Sequence, residues 1–380
     1  MAIPFIDLQA QYRAHRASID REIQQVLDSS CYILGEKVER IETELARLAG
    51  VRHAIGVSSG TDALLLALMA AGIEREDEVI TSAFTFFATA EVVALLGAVP
   101  VFADIEPDTY NIDPVEVERR ITSRTRAIMP VDLFGQCADY ERIGRIAQRH
   151  GLRVLEDAAQ AFGARQNGRR ACSLGDIGCT SFYPSKPLGC YGDGGMVFTD
   201  DDQTAALVRS LHVHGEGADR YENVRIGICG RLDAIQAAVL LGKLPAFEWE
   251  VQQRQRIAQR YTDALQDVVV TPAVRPGNRS VWAQYSIRVP DRTAFRARLA
   301  EAGIPTAVFY PKPLHLQDAF VCLGHRKGDM PVAERVACDI VSLPMHAYLD
   351  EPVQDRIIEH VRKAVAGQRP GAEPAARGVG

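Results

Sequence analysis

Residues 56–64 read GVSSGTDAL, and this short stretch contains the end of an apolar strand, a turn of small hydroxyl residues and the start of a helix. Free backbone amides at a helix N-terminus, with its partial positive charge, suit a phosphate group. Gly60 permits close approach of the backbone, and the Thr61 hydroxyl adds a donor. The alternative is that Ser59 or Thr61 only caps the helix, and taken alone the stretch favours capping.

The same order of strand and helix repeats through the first two thirds of the chain. Apolar stretches predict strands at residues 54–57, 78–81, 99–104, 127–131, 153–156, 179–182 and 195–199. Between them, apolar residues recurring at three and four positions predict helices that include 62–71, 88–96, 140–150 and 202–211. This alternation is typical of an α/β fold with a mostly parallel sheet between helices. Ligands of such folds bind at the carboxyl ends of the strands.

The last third of the chain predicts a smaller α+β domain. Helical patterns at 232–244 and 248–265 lead out of the first domain, and strands at 280–289 and 306–310 follow, with helices at 292–302 and 352–366. An N-terminal helix near Ile19 to Asp28 is expected to pack on this small domain. The predicted organisation is a helical arm at 1–30, a large domain at 31–247, a small C-terminal domain at 248–366 and a disordered tail at 367–380.

Composition and charge exclude several classes of protein. The 380 residues are 47% hydrophobic and 24% charged, as in an ordinary globular protein, which excludes global disorder. The formal net charge of −6 opposes a phosphate backbone, so we expect no nucleic-acid partner. Eight scattered cysteines form no C-x-x-C pair, which argues against a metal centre and a disulfide framework. With no targeting pattern and no apolar stretch long enough to span a bilayer, we expect a cytoplasmic protein without a membrane partner.

A second candidate site element is the carboxylate that follows the predicted strand at 153–156. Residues 155–160 read LEDAAQ, so Asp157 lies at a strand end, with Gln160 three positions later. A buried carboxylate needs a cationic partner or several hydrogen bonds, which points to a positive group on a ligand or on another side chain. The alternative is an aspartate that caps the next turn.

The third element is a lysine between two prolines. Residues 180–189 read TSFYPSKPLG, which places Lys186 just after the strand that carries Ser181. Prolines fix the backbone around Lys186, and Gly192, Gly194 and Gly195 remove bulk nearby, as suits an amine aimed at a bound group. A surface turn is the alternative, and the glycines match neither Rossmann nor P-loop spacing.

Together the three elements indicate one cofactor. Pyridoxal 5'-phosphate requires a lysine for its Schiff base, an acid opposite the ring nitrogen and donors for its phosphate. With these residues, the chain resembles the DegT/DnrJ/EryC1/StrS family, sugar aminotransferases of fold type I that depend on pyridoxal phosphate and act on nucleotide-linked keto-sugars. The resemblance runs from PFIDL at 4–8 to about residue 364 and includes residues 58–64, 83–90, 156–163 and 181–189.

The resemblance implies a role for each matching residue. Lys186 would bind the cofactor and carry protons, Asp157 would pair with the ring nitrogen, and Gln160 would contact the ring oxygen. Phe86 would stack on the ring face. The phosphate would be held by Gly60, Thr61 and Ser181. Members with histidine in place of the lysine perform dehydration, so Lys186 implies amino transfer.

Further segments resemble enzymes that aminate C3 of a UDP-linked 2-acetamido-3-keto-glucuronate for lipopolysaccharide or another surface polysaccharide. These segments read FGQCAD at 134–139, PLGCYGDGG at 187–195 and SLPMH at 342–346. The resemblance implies L-glutamate as donor, 2-oxoglutarate as its product, and a homodimer with shared sites. Arg231 would reach the sugar from the neighbouring subunit, where a surface salt bridge is its alternative, and Tyr310 and His315 would line the sugar site.

Two positions depart from that closest pattern. Cys229 replaces an asparagine that reaches the partner's cofactor phosphate, and Phe309 replaces a histidine in the sugar-site segment. A thiol is a weak hydrogen-bond donor, and a phenyl ring offers a sugar carboxylate neither charge nor hydrogen bond. We therefore expect weaker cofactor retention, and carboxylate recognition by Arg231 and other groups, or relaxed recognition.

Two other functions stay open at this point. Amination at C3 or C4 of another nucleotide-linked keto-deoxysugar would use the same cofactor site, because the position attacked depends on the sugar pose. A regulatory protein that binds pyridoxal phosphate without turnover is the alternative from another class. The sequence argues against DNA binding, since it carries no appended helix-turn-helix domain or basic face.

Overall fold

The computed structural model of the chain describes residues 3–367. Its helices are α1 (Leu8–Ser29), α2 (Glu36–Ala49), α3 (Gly60–Ala70), α4 (Ala88–Leu95), α5 (Pro114–Arg119), α6 (Tyr140–His150), α7 (Asp202–Leu211), α8 (Ala234–Lys243), α9 (Phe247–Leu265), α10 (Arg292–Glu301), α11 (Pro331–Asp339) and α12 (Glu351–Ala366). Its strands are β1 (His53–Val57), β2 (Glu78–Ser82), β3 (Val99–Ala103), β4 (Thr125–Met129), β5 (Arg153–Asp157), β6 (Arg165–Gln166), β7 (Arg169–Arg170), β8 (Ile177–Ser181), β9 (Gly195–Thr199), β10 (Asn278–Arg279), β11 (Tyr285–Arg288) and β12 (Ile340–Leu343). The predicted tail, beyond Gly367, lies outside the described residues.

The seven strands predicted in the first two thirds form one sheet, in the order β1-β9-β8-β5-β4-β2-β3. Strand β9 runs antiparallel to both of its neighbours, and the remaining pairs are parallel. Apolar side chains fill both faces of the sheet, with Ile80 and Ile128 in one hydrophobic cluster and Val79 and Ala127 in another. The α/β fold with a mostly parallel sheet between helices is confirmed.

The C-terminal part has its own hydrophobic cluster, which includes Tyr261, Phe295 and Val361 from three helices packed around the antiparallel pair β11 and β12. Two strand predictions were wrong here. Residues 280–289 contain strand only from Tyr285, because Trp282 has a left-handed backbone, with φ of 51°. Residues 306–310 form a single bridge between Ala307 and Ser342. The sequence of this region supplies prolines at 305, 311 and 313, which cannot donate to a ladder.

The N-terminal helix is longer than predicted, because Asp7 caps it: the Asp7 carboxylate accepts the backbone N–H of Ala10 at 2.7 Å. The second half of α1 packs closely along α8, where a Cβ at Gly242 would lie 2.7 Å from Cα of Ile19. Its first half reaches α9, since the Gln11 amide donates to Glu250 at 2.9 Å. The arm thus packs on α8 as well as on the C-terminal part. The domain boundaries stay a prediction.

Candidate active site

The three site elements meet at one edge of the sheet. Parallel strands β5 and β8 are neighbours and end at Asp157 and Ser181. Gly195, the first residue of β9, pairs with Ser181 on one side and with Val57 at the end of β1 on the other. The loop that leaves β1 therefore crosses the ends of β9 and β8 before α3 begins.

Glycines allow this loop to lie against the strand ends. A Cβ at Gly60 would be 2.6 Å from Cβ of Ser181, and a Cβ at Gly195 would be 2.3 Å from the carbonyl oxygen of Ser59. The side chain of Ser59 caps α3 by accepting the backbone N–H of Asp62 at 3.0 Å, so the capping interpretation is correct for Ser59. Thr61 lies in the first turn of α3, directly after Gly60, which approaches Ser181. The predicted phosphate residues are thus brought together at a helix N-terminus.

The carboxylate of Asp157 is buried at the end of β5. It accepts the hydroxyl of Thr89 at 2.8 Å and the backbone N–H of Ala159 at 3.1 Å. The second bond is the predicted turn cap, but the first comes from a distant helix, α4. Burial raises the pKa of Asp157, and the Thr89 hydroxyl, the Ala159 amide and the charge of Lys186 oppose that rise.

Lys186 lies in a packed turn, where it is half-buried. The backbone N–H of Lys186 donates to the carbonyl of Tyr183 at 2.8 Å, and a Cβ at Gly189 would lie 2.5 Å from the carbonyl oxygen of Pro184. Burial lowers the pKa of Lys186 to about 8, and the charge of Asp157 opposes this fall. The site therefore pairs a carboxylate with an amine that loses its proton easily.

The Tyr310 ring lies near Asp157, and the Phe86 ring lies beside Tyr310. Phe86 leaves 57% of its surface exposed, and its ring centroid is 6.3 Å from that of Tyr310. Gln160 links Tyr310 to the segment that follows β4: its Oε1 accepts the backbone N–H of Phe134 at 2.8 Å, and its Nε2 donates to the Tyr310 hydroxyl at 3.1 Å. The structure thus joins a residue predicted for the cofactor to one predicted for the sugar.

The remaining predicted residues lie at different distances from the site. Arg231 forms a bridge with Val57 at the end of β1, and its Nη2 donates to the Cys229 sulfur at 3.0 Å. Phe309 packs on Tyr310, with ring centroids 5.9 Å apart. His315 is enclosed: its Nε2 lies 3.0 Å from Oε1 of Glu334, and its side chain is fully buried. A sugar-lining role for His315 stays a prediction.

Sequence reasoning missed two features of the site. One is Thr89, whose signal was a second threonine, Thr85, four positions earlier in the segment that leads into α4. The other is a water-sized cavity of about 10 Å³ between the Lys186 turn, α1 and α9. In residues 3–367, four buried polar atoms that line this cavity have no protein partner: Gln11 Oε1, Arg254 Nε and both ring nitrogens of His346.

These residues fit pyridoxal phosphate. Asp157 is a buried carboxylate whose cationic neighbour is Lys186, Gly60 and Gly195 let the helix N-terminus lie against the strand ends, and Phe86 presents an open ring. Within residues 3–367, no group of three or more His, Cys, Asp or Glu side chains is placed to hold a metal ion. No helix of this described part is long and apolar enough to cross a membrane. Fold and site together define a fold-type-I enzyme whose cofactor is pyridoxal 5'-phosphate.

The chain belongs to the DegT/DnrJ/EryC1/StrS aminotransferase family, whose family model matches residues 14–362. It is 49% identical over 349 residues to the UDP-2-acetamido-2-deoxy-3-oxo-D-glucuronate aminotransferase of Pseudomonas aeruginosa, covering 92% of this chain and 96% of that protein. It is 47% identical over 365 residues to the pleiotropic regulatory protein of Geobacillus stearothermophilus, covering 95% of this chain and 98% of that protein.

A similar solved structure is that of ntda from Bacillus subtilis with bound cofactor PMP. It superposes with a TM-score of 0.90 at 30% identity and covers 96% of this chain and 85% of that chain. The predicted family, enzyme class and cofactor are confirmed.

Proposed function

We propose that this aminotransferase moves an amino group from L-glutamate to the C3 keto group of a UDP-linked 2-acetamido-3-keto-glucuronate. The observation that carries the reaction type is Lys186 beside the buried Asp157, at the carboxyl ends of β5 and β8. The substrate assignment is supported by the relative from Pseudomonas aeruginosa, whose name describes that sugar. The product would be 2-oxoglutarate and an amino sugar for lipopolysaccharide or another surface polysaccharide, such as O-antigen.

The lysine is the proton carrier of the reaction. The cofactor, when bound, supplies an electron sink for the carbon that loses its proton. Lys186 takes that proton as a general base, which requires its neutral amine. Because burial lowers the pKa of Lys186 to about 8, a free amine at that position holds a useful neutral fraction near neutral pH. The carboxylate of Asp157 supplies the negative charge that a protonated ring nitrogen of the cofactor requires.

We assign substrate contacts to the groups at the mouth of the site. Arg231, which bridges Val57 at the end of β1, offers the partner's site a guanidinium for the sugar carboxylate, and Tyr310 offers a hydroxyl already oriented by Gln160. Phe309 adds an apolar face without a donor. The assignment of His315 is the weakest of the four, because its ring is enclosed beside Glu334.

We propose a homodimer in which Cys229 and Arg231 act at the partner's site. Support comes from the exposed apolar residues of the segment before Cys229, where Tyr221 and Ile226 each leave 88% of their surface uncovered. Mixing a Lys186→Ala chain with an Arg231→Ala chain should restore activity through hybrid dimers. No recovery after confirmed subunit exchange would contradict a shared site.

The cytoplasm is the proposed location. All eight cysteines are free thiols, in keeping with a reducing compartment.

The decisive experiment incubates the enzyme with glutamate and a panel of UDP- and dTDP-linked 3-keto and 4-keto sugars, and identifies products by mass spectrometry and NMR. We expect amination at C3 of the UDP-linked uronate. Lys186→Ala should abolish turnover, whereas Lys363→Ala, at an exposed lysine on α12, should not. Preferred amination at C4, or of a neutral dTDP-sugar, would replace the substrate assignment.

A second candidate, a regulatory protein that binds the cofactor without turnover, is favoured by the name of the Geobacillus relative. The net charge of −6 opposes DNA binding. A gel-shift assay with operator DNA, run beside the transaminase panel, separates the two functions. Specific DNA binding with no amination of any sugar would favour the regulatory function.

A further inference from the structure

Two buried threonines connect helix α4 to the carboxylate of Asp157. The Oγ1 atom of Thr89 lies 2.8 Å from Oδ2 of Asp157, and the Oγ1 atom of Thr85 lies 3.2 Å from that of Thr89. Both threonines are at most 2% exposed. No water competes easily at such a position, so these hydroxyls act as fixed groups of the protein.

When Asp157 is ionised, the chemistry of the three groups sets the direction of both hydrogen bonds. An ionised carboxylate only accepts, so the Thr89 hydroxyl donates its one proton to Asp157. The Thr89 oxygen is then free to accept, and Thr85 is the donor in the second bond. A donated hydrogen bond stabilises the charged form of a carboxyl group more than its neutral form, so the Thr89 contact favours the ionised carboxylate.

The other titratable groups around Asp157 do not supply this orientation. Lys186 faces it from the turn after β8 as a cation, while Cys179 on β8 and Tyr310 from the small domain face it as neutral groups because burial raises their pKa. Cys172 is likewise buried and neutral. Among these residues, Lys186 alone brings positive charge, and it is the group that changes protonation during the reaction.

We propose that Thr89 is a positioning residue that, with Thr85 behind it, holds Asp157 ionised and aimed at the ring nitrogen of the cofactor. The inference deepens the proposed function and rests on the cofactor assignment within it. The inference adds Thr89, a residue of α4, to the site, and the sequence alone had assigned no role to that side chain.

The test compares isosteric and conservative variants of the holoenzyme. Thr89→Val removes the hydroxyl and keeps the shape, Thr89→Ser keeps the hydroxyl, and Thr85→Val removes only the second donor. Thr81→Val is the matched control, because it removes a buried hydroxyl that donates to the carbonyl of Met129 at 2.8 Å, in strand β2. The measurement is the rate of cofactor release between pH 5 and 9, followed by absorbance.

The ionised carboxylate of Asp157 supports cofactor binding, and this support is lost as pH falls through the pKa of Asp157, which burial raises and the Thr89 hydroxyl lowers. Removing a donor raises the pKa of Asp157, so acid-induced release in Thr89→Val should begin about one pH unit higher than in the wild type. In Thr85→Val the onset of cofactor release should shift by less, and Thr89→Ser should release cofactor with the same pH dependence as the wild type.

An unshifted Thr89→Val profile, or an equal shift in Thr81→Val, would overturn the inference. If Thr89→Val does not yield folded holoenzyme, an unshifted Thr85→Val profile overturns it instead. Cofactor release is independent of the sugar, so a shifted profile in an enzyme that aminates no keto-sugar would reject the proposed function and leave this inference standing.

Discussion

Replacing Gly60 by alanine tests whether the phosphate cradle depends on the close contact between the loop after β1 and the end of β8. A Cβ on Gly60 would lie 2.6 Å from Cβ, 3.1 Å from Oγ and 3.2 Å from Cα of Ser181. Carbon atoms in contact prefer about 3.5–4.0 Å, so loop and strand must separate by about 1 Å. Rotating the Ser181 side chain cannot relieve the clash, because Cβ and Cα do not move with χ1.

Two effects on stability oppose each other in this variant. Alanine is better than glycine inside a helix by about 0.5–1 kcal/mol, whereas overpacking costs about 1–3 kcal/mol. We expect a net loss of about 1 kcal/mol in the free energy of unfolding. Cofactor binding should suffer more. Loss of one hydrogen bond to a charged phosphate, about 1.5–3 kcal/mol, weakens affinity by about tenfold to a hundredfold.

Urea unfolding of the cofactor-free protein and titration with pyridoxal phosphate measure the two effects separately. The matched control is Gly144→Ala in α6, where a new Cβ meets nothing within 4 Å. The control should be slightly more stable than the wild type and bind cofactor equally well. If Gly60→Ala behaves like Gly144→Ala in both assays, the contact is looser than the structure indicates and the cradle argument is wrong.

Further predictions concern Cys229 and Phe309, which depart from the family pattern, Lys186, and the cavity beside the Lys186 turn. Cys229→Asn should tighten cofactor retention several-fold, and Phe309→His should raise the preference for a uronate over the neutral sugar several-fold. Each effect comes from one added hydrogen bond, which contributes about 0.5–1.5 kcal/mol. Unchanged cofactor release and unchanged sugar selectivity would show that Cys229 and Phe309 do not have these roles. Burial lowers the pKa of Lys186 to about 8, so below that pH the folded, cofactor-free protein is destabilised by a buried positive charge. This destabilisation fades as pH rises from there towards the pKa of lysine in the unfolded chain. Lys186→Met should therefore be more stable at pH 7 by about 1–3 kcal/mol, with the difference shrinking towards pH 10.5, and a pH-independent difference would contradict this reasoning. A high-resolution crystal structure should show an ordered water bonded to Gln11 and His346, whose atoms lack protein partners in the described chain, and a dry cavity would contradict this expectation.

Periodicity and turn chemistry predicted much of the first two thirds of the chain. Helices α6 and α7 have the bounds that were predicted, because apolar spacing is a local signal. The C-terminal part was predicted less well. Its strand β12 was missed, and the segment before Tyr310 was read as a strand, because backbone pairing there depends on which remote residues are available.

The candidate site, too, could be predicted from the sequence only in part. Sequence alone identified Lys186 and Asp157 as chemically unusual, because a lysine between prolines and a carboxylate at a strand end are visible in the order of residues. It could not show that Thr89 donates to that carboxylate, since the two are 68 positions apart. Nor could it show His346 beside the Lys186 turn.

The sequence by itself determined the α/β class and the cofactor, and it predicted the residues of the site. Those properties follow from residue type, local spacing and resemblance. The tertiary structure decided that Gly60 touches Ser181, that Gln160 holds Tyr310 and that α1 packs along α8. These contacts join segments far apart in the chain, and their distances depend on how whole helices and strands pack, which no local pattern specifies.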